Sequence, residues 1–416
     1  MDLSFKIDTR EEHLSLDASQ VLSVLQPATI PHSLDQVQLL QESLSHPIHS
    51  APLKEILSPK DSVAIVTSDI TRPMPSYTVL PVLLKELTSI GIAKDKITIV
   101  IALGSHRRQT KEEMEHLVSK EVYDQYTVIN SGEHGFVTVG TTKRGTPVEL
   151  DRTVVEADRR ICLGNVEYHY FAGYSGGAKA IMPGCSTKNA IQQNHRFMVE
   201  DNAHAGKIAG NPIREDIEEA ASFVGVDFII NVVLNPQKEI IFAASGDVTE
   251  AHREACRHLA KYYLSPIPAK ADVVIVSQAG APKDLNLYQT QKALDNAKHA
   301  VKDGGIVILI GSCKEGFGNA VFEEWMCKYK QPQEMIDALY QSFVLGGHKA
   351  AAIAMVEKKA KIFLVSDLSD ATVQKTFLTP FHSLHDAYQA AVKELGAAPT
   401  VIAMPYGGST LPYLQK

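Results

Sequence analysis

Asp61-Ser62-Val63-Ala64-Ile65-Val66-Thr67, running directly into Ser68-Asp69-Ile70-Thr71-Arg72-Pro73, decides the fold. The apolar run reads as a buried strand that ends in a polar loop, and the segment capped near Ser76 and running towards Gly91 reads as the helix that follows. The plan then repeats. Lys96-Ile97-Thr98-Ile99-Val100-Ile101-Ala102-Leu103-Gly104 is a second strand, Ser105-His106-Arg107-Arg108-Gln109 is its loop, and Thr110 with Glu113 fits a capping box opening the next helix. Strands alternating with amphipathic helices require a mainly parallel sheet with crossover helices, so the class is α/β. Ligands of such sheets bind beyond the carboxyl ends of the strands, which places Asp69, Arg72 and His106 in one crevice. A third strand near Arg160-Ile161-Cys162-Leu163-Gly164-Asn165 delivers His169 to the same edge.

Further along, Leu264-Ser265-Pro266-Ile267-Pro268-Ala269-Lys270 reads as a linker, because closely spaced prolines oppose helix and central strand alike. A second α/β unit follows, with strands at Ala271–Ser277, Asp303–Gly311 and Ala360–Ser366. The expectation is therefore two α/β domains, 1–265 and 270–416, with an active-site cleft between them. The stretch 280–300, where Tyr288, Gln289 and Lys292 share a helical face, is expected to bridge to the first domain.

Composition narrows the function. With 41 Lys and Arg against 48 Asp and Glu the 416-residue chain carries a net charge of −7, which argues against a partner bound through phosphate neutralisation such as a nucleic acid. No apolar run reaches the roughly 18 residues of a membrane span, and the first residues lack a signal-peptide core, so a cytoplasmic protein acting on a small molecule is expected. The five cysteines form no CxxC pair and read as reduced, Cys185 among them as a buried, inert thiol.

The chemistry concentrates in Gly176-Gly177-Ala178-Lys179. Glycines let main-chain N–H groups cradle an anion, and a lysine beside them serves either as a nucleophile or as a plain phosphate-binding cation. His195 lies on a helix capped by Ser186 or Thr187. Gly407-Gly408-Ser409-Thr410 reads equally as a phosphate loop or an ordinary turn.

Taken together, the tracts Ser68–Pro73, Gly104-Ser105-His106-Arg107, His169–Lys179, Asn194-His195 and Tyr288-Gln289-Thr290-Gln291-Lys292 resemble those of the nickel-dependent lactate racemase family, in order and over almost the whole chain. The resemblance implies an isomerase, a racemase or epimerase of 2-hydroxy acids. It implies a nickel-pincer nucleotide, pyridinium-3,5-bisthiocarboxylic acid mononucleotide nickel, joined covalently to Lys179, with His195 as the nickel ligand, and separate maturation proteins that make this group. His106 and His169 are then the catalytic acid and base, Asp69, Arg72, Gly176, Gly177, Tyr288, Gln289 and Lys292 the cofactor-binding set, and Arg72, Gln289, Lys292 and His348 the substrate-binding set. The implied chemistry suits these residue types. The α-proton of a 2-hydroxy acid is hard to remove, whereas loss of hydride gives a planar 2-keto acid without handedness; an imidazole with a pKa near 6.5 can take and return the hydroxyl proton on either face.

The chain departs from lactate-specific members in its single tryptophan, Trp325, which reads as the core side of a helix rather than as a residue near the substrate. Residues near Phe343–Lys349 are expected to line that side instead, and His348 and Lys349 would admit a larger or more hydroxylated acid, for example malate or a sugar acid. Two other classes stay open on sequence grounds: a zinc hydrolase built on His106, His169 and His195, and a non-catalytic protein that binds a nucleotide cofactor.

Overall fold

The computed structural model describes residues 1–30, 35–396 and 398–415. The chain divides into two compact units, one made of Met1–Ala28 with Tyr262–Lys416 and the other of Thr29–Lys261. Each is built on a six-stranded sheet.

In the Thr29–Lys261 unit the strand order is Ile240–Gly246, Phe228–Leu234, Arg159–Asn165, Val63–Ser68, Ile97–Ala102, Thr127–Asn130. All neighbours are parallel except the Ile240–Gly246 edge. Successive strands move outward from Val63–Ser68 through Ile97–Ala102 to Thr127–Asn130, and then the chain crosses back to lay Arg159–Asn165 on the opposite side of Val63–Ser68. That reversal is a topological switch point, where the loops leaving two adjacent strands diverge and open a crevice.

The strands form because Val63, Ile65, Ile97, Ile99, Ile101, Ile161 and Leu163 pack in one core against Val79, Leu80, Leu83, Leu84 and Leu87 of the Ser76–Ile90 helix. Burial of each such side chain contributes about 1.5–3 kcal/mol, far more than helix propensity does. The helix ends at Gly91, whose φ of 93° is the left-handed cap expected there. Thr110 and Glu113 form the expected capping box, and Thr187 caps the Lys188–His195 helix.

The sheet of the other unit is wholly parallel, in the order Thr379–Phe381, Lys361–Val365, Val301–Ile310, Ala271–Ser277, Val401–Met404, Val21–Val24. Two expectations change here. The first 28 residues do not belong with 29–265: Val21–Val24 adds the edge strand beside Val401–Met404, and the hairpin Asp2–Ile7/Arg10–Ser15 buries Leu3, Phe5, Ile7 and Leu14 against Val273, Ile275, Ile306 and Ile308. Alternation in Asp2–Ile7 specifies a half-buried strand but not which sheet it will cover. The expected linker is also structured. Leu264–Ile267 pairs in parallel with Leu411–Leu414, a two-stranded edge that tolerates Pro266 and Pro412 because one side of such a ribbon needs no ladder donor.

Trp325 is buried in the Ala320–Lys328 helix, as its pattern predicts, with its indole against Gly347. Gly407–Ser409 is a single short turn packed on Val276, with no cradle shape. Cys162, Cys185, Cys256 and Cys313 are buried free thiols, and burial raises the Cys162 and Cys313 thiols to about 12, so they stay protonated and inert.

Candidate active site

One pocket of the Thr29–Lys261 unit lies at the switch point and draws on the carboxyl ends of three adjacent strands. It is lined by Ser68, Asp69 and Arg72 after the first strand, by Gly104, Ser105 and His106 after the second, and by Asn165 and His169 after the third. Gly176, Lys179 and His195 complete it. The predicted residues of this unit therefore converge, except Gly177, which lies behind the wall, its N–H donating to Asn231 at 2.9 Å and an added Cβ meeting His252 at 2.9 Å.

Local geometry assigns a task to each ring. His106 Nδ1 lies 2.7 Å from Asp69 Oδ2, and Asp69 also accepts from the Thr71 hydroxyl at 2.7 Å while itself being 2 % exposed. Burial alone would raise the Asp69 carboxyl, but the bonds from His106 and Thr71 outweigh it and hold the carboxyl below its usual range. An ionised Asp69 fixes the proton of His106 on Nδ1, so Nε2 carries the lone pair of a base. His169 has the opposite arrangement. It sits in the Tyr168–His169/Gly173–Tyr174 hairpin, where its Nδ1 accepts from the Ala172 N–H at 3.3 Å. Its neutral ring therefore carries hydrogen on Nε2. Burial, followed by Lys179 and Arg72, pushes the His169 pKa well down.

Phe171, at the tip of that hairpin, is buried and meets three of the pocket-lining side chains. Its ring lies 4.4 Å from His169, 4.8 Å from His195 and 5.9 Å from the Lys179 amine. Lys179 is held well below the ordinary lysine pKa by burial, then by Arg72 and Arg214, with Glu167 opposing. That environment disfavours the ammonium and shifts the amine towards its neutral form.

His195 is oriented by a buried chain that sequence reading did not reveal. Asp216 accepts from Thr142 at 2.5 Å, Thr146 at 2.7 Å and Asn194 Nδ2 at 2.7 Å. With its NH2 group so committed, Asn194 turns Oδ1 towards His195 Nδ1 at 2.9 Å. His195 Nδ1 therefore donates, and Nε2 presents a lone pair, the tautomer a metal-ligating imidazole needs. Only spatial proximity links Asp216 to His195, which explains its silence in the sequence.

Tyr288, Gln289, Lys292 and His348 belong to the other unit. Tyr288 and Gln289 lie in the Leu287–Thr290 helix and Lys292 in the short turn that follows. The Tyr288 ring stands edge-on to Phe322 at 5.4 Å, and burial lowers the Lys292 amine. His348 is buried, accepts from the Gly346 N–H at 3.0 Å and is pushed down to about 3, so it is neutral; its neighbour Lys349 is lowered to about 8 by burial.

His252 and His348 are thus buried and His169 half-buried, and all three are pushed below the ordinary imidazole value, first by desolvation. Unfolded, each would take up a proton near its ordinary pKa of about 6.5, so the unfolded chain binds more protons below that pH and stability falls as pH drops. For His348 alone the loss reaches on the order of a few kcal/mol by the time pH approaches its folded pKa. A thermal unfolding midpoint that declines from pH 7 to pH 5, and recovers part of that loss in H348Q, is the expected result; a midpoint flat over that interval would contradict it.

A lactate racemase N-terminal domain profile matches residues 7–206 of the chain, and a lactate racemase C-terminal domain profile matches residues 267–411. The chain belongs to the lactate racemase family. It is 31% identical to the lactate racemase of Thermoanaerobacterium thermosaccharolyticum over 392 residues, 91% of each chain, and 31% identical to that of Lactiplantibacillus plantarum over 399 residues, 92% of each. The structure of the apoprotein from T. thermosaccharolyticum superposes with a TM-score of 0.87 at 28% identity, covering 99% of this chain and 100% of that one. A Thermotoga maritima protein of 19% identity shares the fold with a TM-score of 0.63. As a member of the lactate racemase family the chain is an enzyme, an isomerase of the racemase type.

Proposed function

We propose that this enzyme inverts the C2 centre of a 2-hydroxy acid, with Lys179 tethering a nickel-pincer nucleotide, His195 ligating its nickel, and His106 and His169 exchanging the hydroxyl proton on opposite faces of the carbon. The observation that carries this reading is the meeting of His106, His169, Lys179 and His195 around one pocket, with the lysine shifted towards its neutral form and the His195 lone pair on Nε2.

The residues fit such a group. Gly176, at φ 76°, could not carry a Cβ without meeting Asn231 at 2.8 Å and Val166 at 2.9 Å, so only glycine lets the main chain ahead of Lys179 pack this tightly at the pocket wall. A neutral buried amine can form an amide-type bond, which a surface ammonium cannot. When bound, the cofactor supplies an electron-poor carbon able to receive hydride. The protein supplies the remainder. His106, aligned by Asp69, accepts a hydroxyl proton at Nε2; His169 is assigned the other face, where taking up a proton at Nε2 requires its own hydrogen to move to Nδ1 at the expense of the 3.3 Å contact from the Ala172 N–H. Arg72, with Glu167 at 3.5 Å, offers its fork of donors to the substrate carboxylate. From the second unit, Tyr288, Gln289 and Lys292 are proposed to contact cofactor or substrate, with 280–300 as the bridging segment. A cytoplasmic location and maturation proteins as partners belong to the same proposal; among the described residues no helix is long and apolar enough to cross a membrane.

The hydrolytic zinc reading finds no support, since no three His, Cys, Asp or Glu side chains gather closely enough among the described residues to hold a metal ion. A pure binding protein has no use for an Asp69-aligned base. On the second unit, Lys349 with a pKa near neutrality and neutral His348 favour an acid with more polar groups than lactate, such as malate or a sugar acid.

Protein produced in a host that makes the cofactor should carry one nickel and a mass increment on the peptide containing Lys179. Given a panel of enantiopure acids, it should racemise malate or a sugar acid faster than lactate. Nickel-free, unmodified and inactive protein from that host would overturn the cofactor reading, and turnover of lactate alone would overturn the substrate argument.

A further inference from the structure

The turn that presents Lys179 is held from behind by a buried cation. Arg214, in the first turn of the Pro212–Ser222 helix, is wholly buried and directs all three of its nitrogens at main-chain carbonyls. Nε donates to Ala172 at 3.2 Å, one Nη donates to Tyr174, and the other donates to Gly176 at 3.5 Å. The carbonyls between them are also taken: Gly173 accepts from the Gly206 N–H at 3.0 Å and Ser175 is met by His252 Nε2 at 2.8 Å. Glu218 lies 3.9 Å from Arg214 but pairs more closely with Arg253, at 2.7 Å. Arg253 in turn reaches His252 Nδ1 at 2.8 Å.

A fully buried guanidinium with only a distant, shared carboxylate costs more in desolvation than its ion pair returns, and an apolar side chain of that size would fill the space more cheaply. We propose that Arg214 is a positioning residue for the lysine cradle, fixing the Ala172–Gly176 turn through its carbonyls and setting a permanent positive charge behind the Lys179 amine. The proposal rests on the reading of Lys179 as the nucleophile that takes the cofactor. The charged and titratable groups facing that amine are Arg72 and Arg214, which disfavour an ammonium, Glu167, which favours one, and the rings of His169 and His252.

The test uses full-length, cofactor-free protein pulsed with acetic anhydride at graded pH, with acetylation of each lysine read by peptide mass spectrometry. In the wild-type protein Lys179 should reach half-reaction at a pH well below that of the surface lysines. R214M should move that midpoint up, so that on its acidic side acetylation slows roughly tenfold, the change expected from losing one nearby buried charge. E218Q, which leaves the Arg214 charge less compensated, should move it down, and R214K, whose amine can neither reach all three carbonyls nor readily hold its proton in that buried place, should move it up, towards the R214M value. A general loosening would not give shifts of opposite sign in R214M and E218Q. If R214M does not fold, E218Q and R214K carry the comparison. A depressed wild-type midpoint that E218Q and R214M leave unmoved overturns the role of Arg214 alone, whereas a wild-type Lys179 that titrates with the surface lysines overturns the nucleophile reading beneath it.

Discussion

K179R abolishes racemisation, with a loss on the order of 10⁴-fold or more, and removes the mass increment from the peptide that spans the Gly176-Gly177 turn. The reason lies in the protonation state. A lysine that only neutralises a phosphate acts through its charge, and arginine supplies that charge with donors to spare. Such a site would keep activity within about tenfold in K179R, the scale of one altered surface-type contact. The Lys179 amine is instead driven towards its neutral form by burial, Arg72 and Arg214, so its value is its lone pair. A guanidinium is always protonated and has no lone pair to give. Nickel content should fall with the increment, since His195 alone is one ligand and cannot hold the ion. Retained activity and nickel in K179R would show a charge-binding lysine and no tether.

How far the sequence alone carries can be judged from particular residues. The strands Val63–Ser68, Ile97–Ala102 and Arg159–Asn165 were legible because a strand buried on both faces is a nearly continuous apolar run, and their polar exits marked the sheet edge where Asp69, Arg72, His106 and His169 gather. Caps at Gly91, Thr110 and Thr187 were legible because they are local chemistry. What stayed hidden is non-local. Nothing near Val21–Val24 announces a partner at Val401–Met404, nearly the whole chain away. Arg214 and Asp216 belong to no tract that the sequence marks, yet both are buried behind the site, one bonded to the turn before Lys179 and the other to the amide that orients His195. Asp69, grouped by sequence with the cofactor contacts, has its carboxylate committed to His106 and Thr71, a disposition that no spacing rule encodes.

That arrangement makes the two histidines proposed as acid and base separable. H106A and H169A should each lower steady-state racemisation by about 10²–10⁴-fold, the usual contribution of a positioned acid or base, because every complete inversion needs one ring on each face. Each variant nevertheless keeps half of the machinery. When loaded protein is mixed at stoichiometric amounts with one pure enantiomer, H106A should still convert to keto acid the enantiomer whose hydroxyl faces His169, and H169A only its mirror image. D69N should resemble a weakened H106A, since an amide neither fixes the His106 proton on Nδ1 nor stabilises the imidazolium formed on proton uptake, and kcat should fall by roughly 10²-fold or more. The double variant D69N/H106A should be no worse than H106A, because residues acting as a unit are not additive. The faces should also differ in pH response. His169 is pushed well below the ordinary value by burial first, with the positive charge of Arg72 adding to it, so it remains neutral and able to accept a proton in acid where an unperturbed imidazole would be protonated. The half-reaction retained by H106A should therefore persist below pH 6.5. Chromatographic measurement of keto acid after a single turnover, for both enantiomers and both variants, decides the matter: the same enantiomer consumed by both variants would place the two rings on one face and end the two-base assignment.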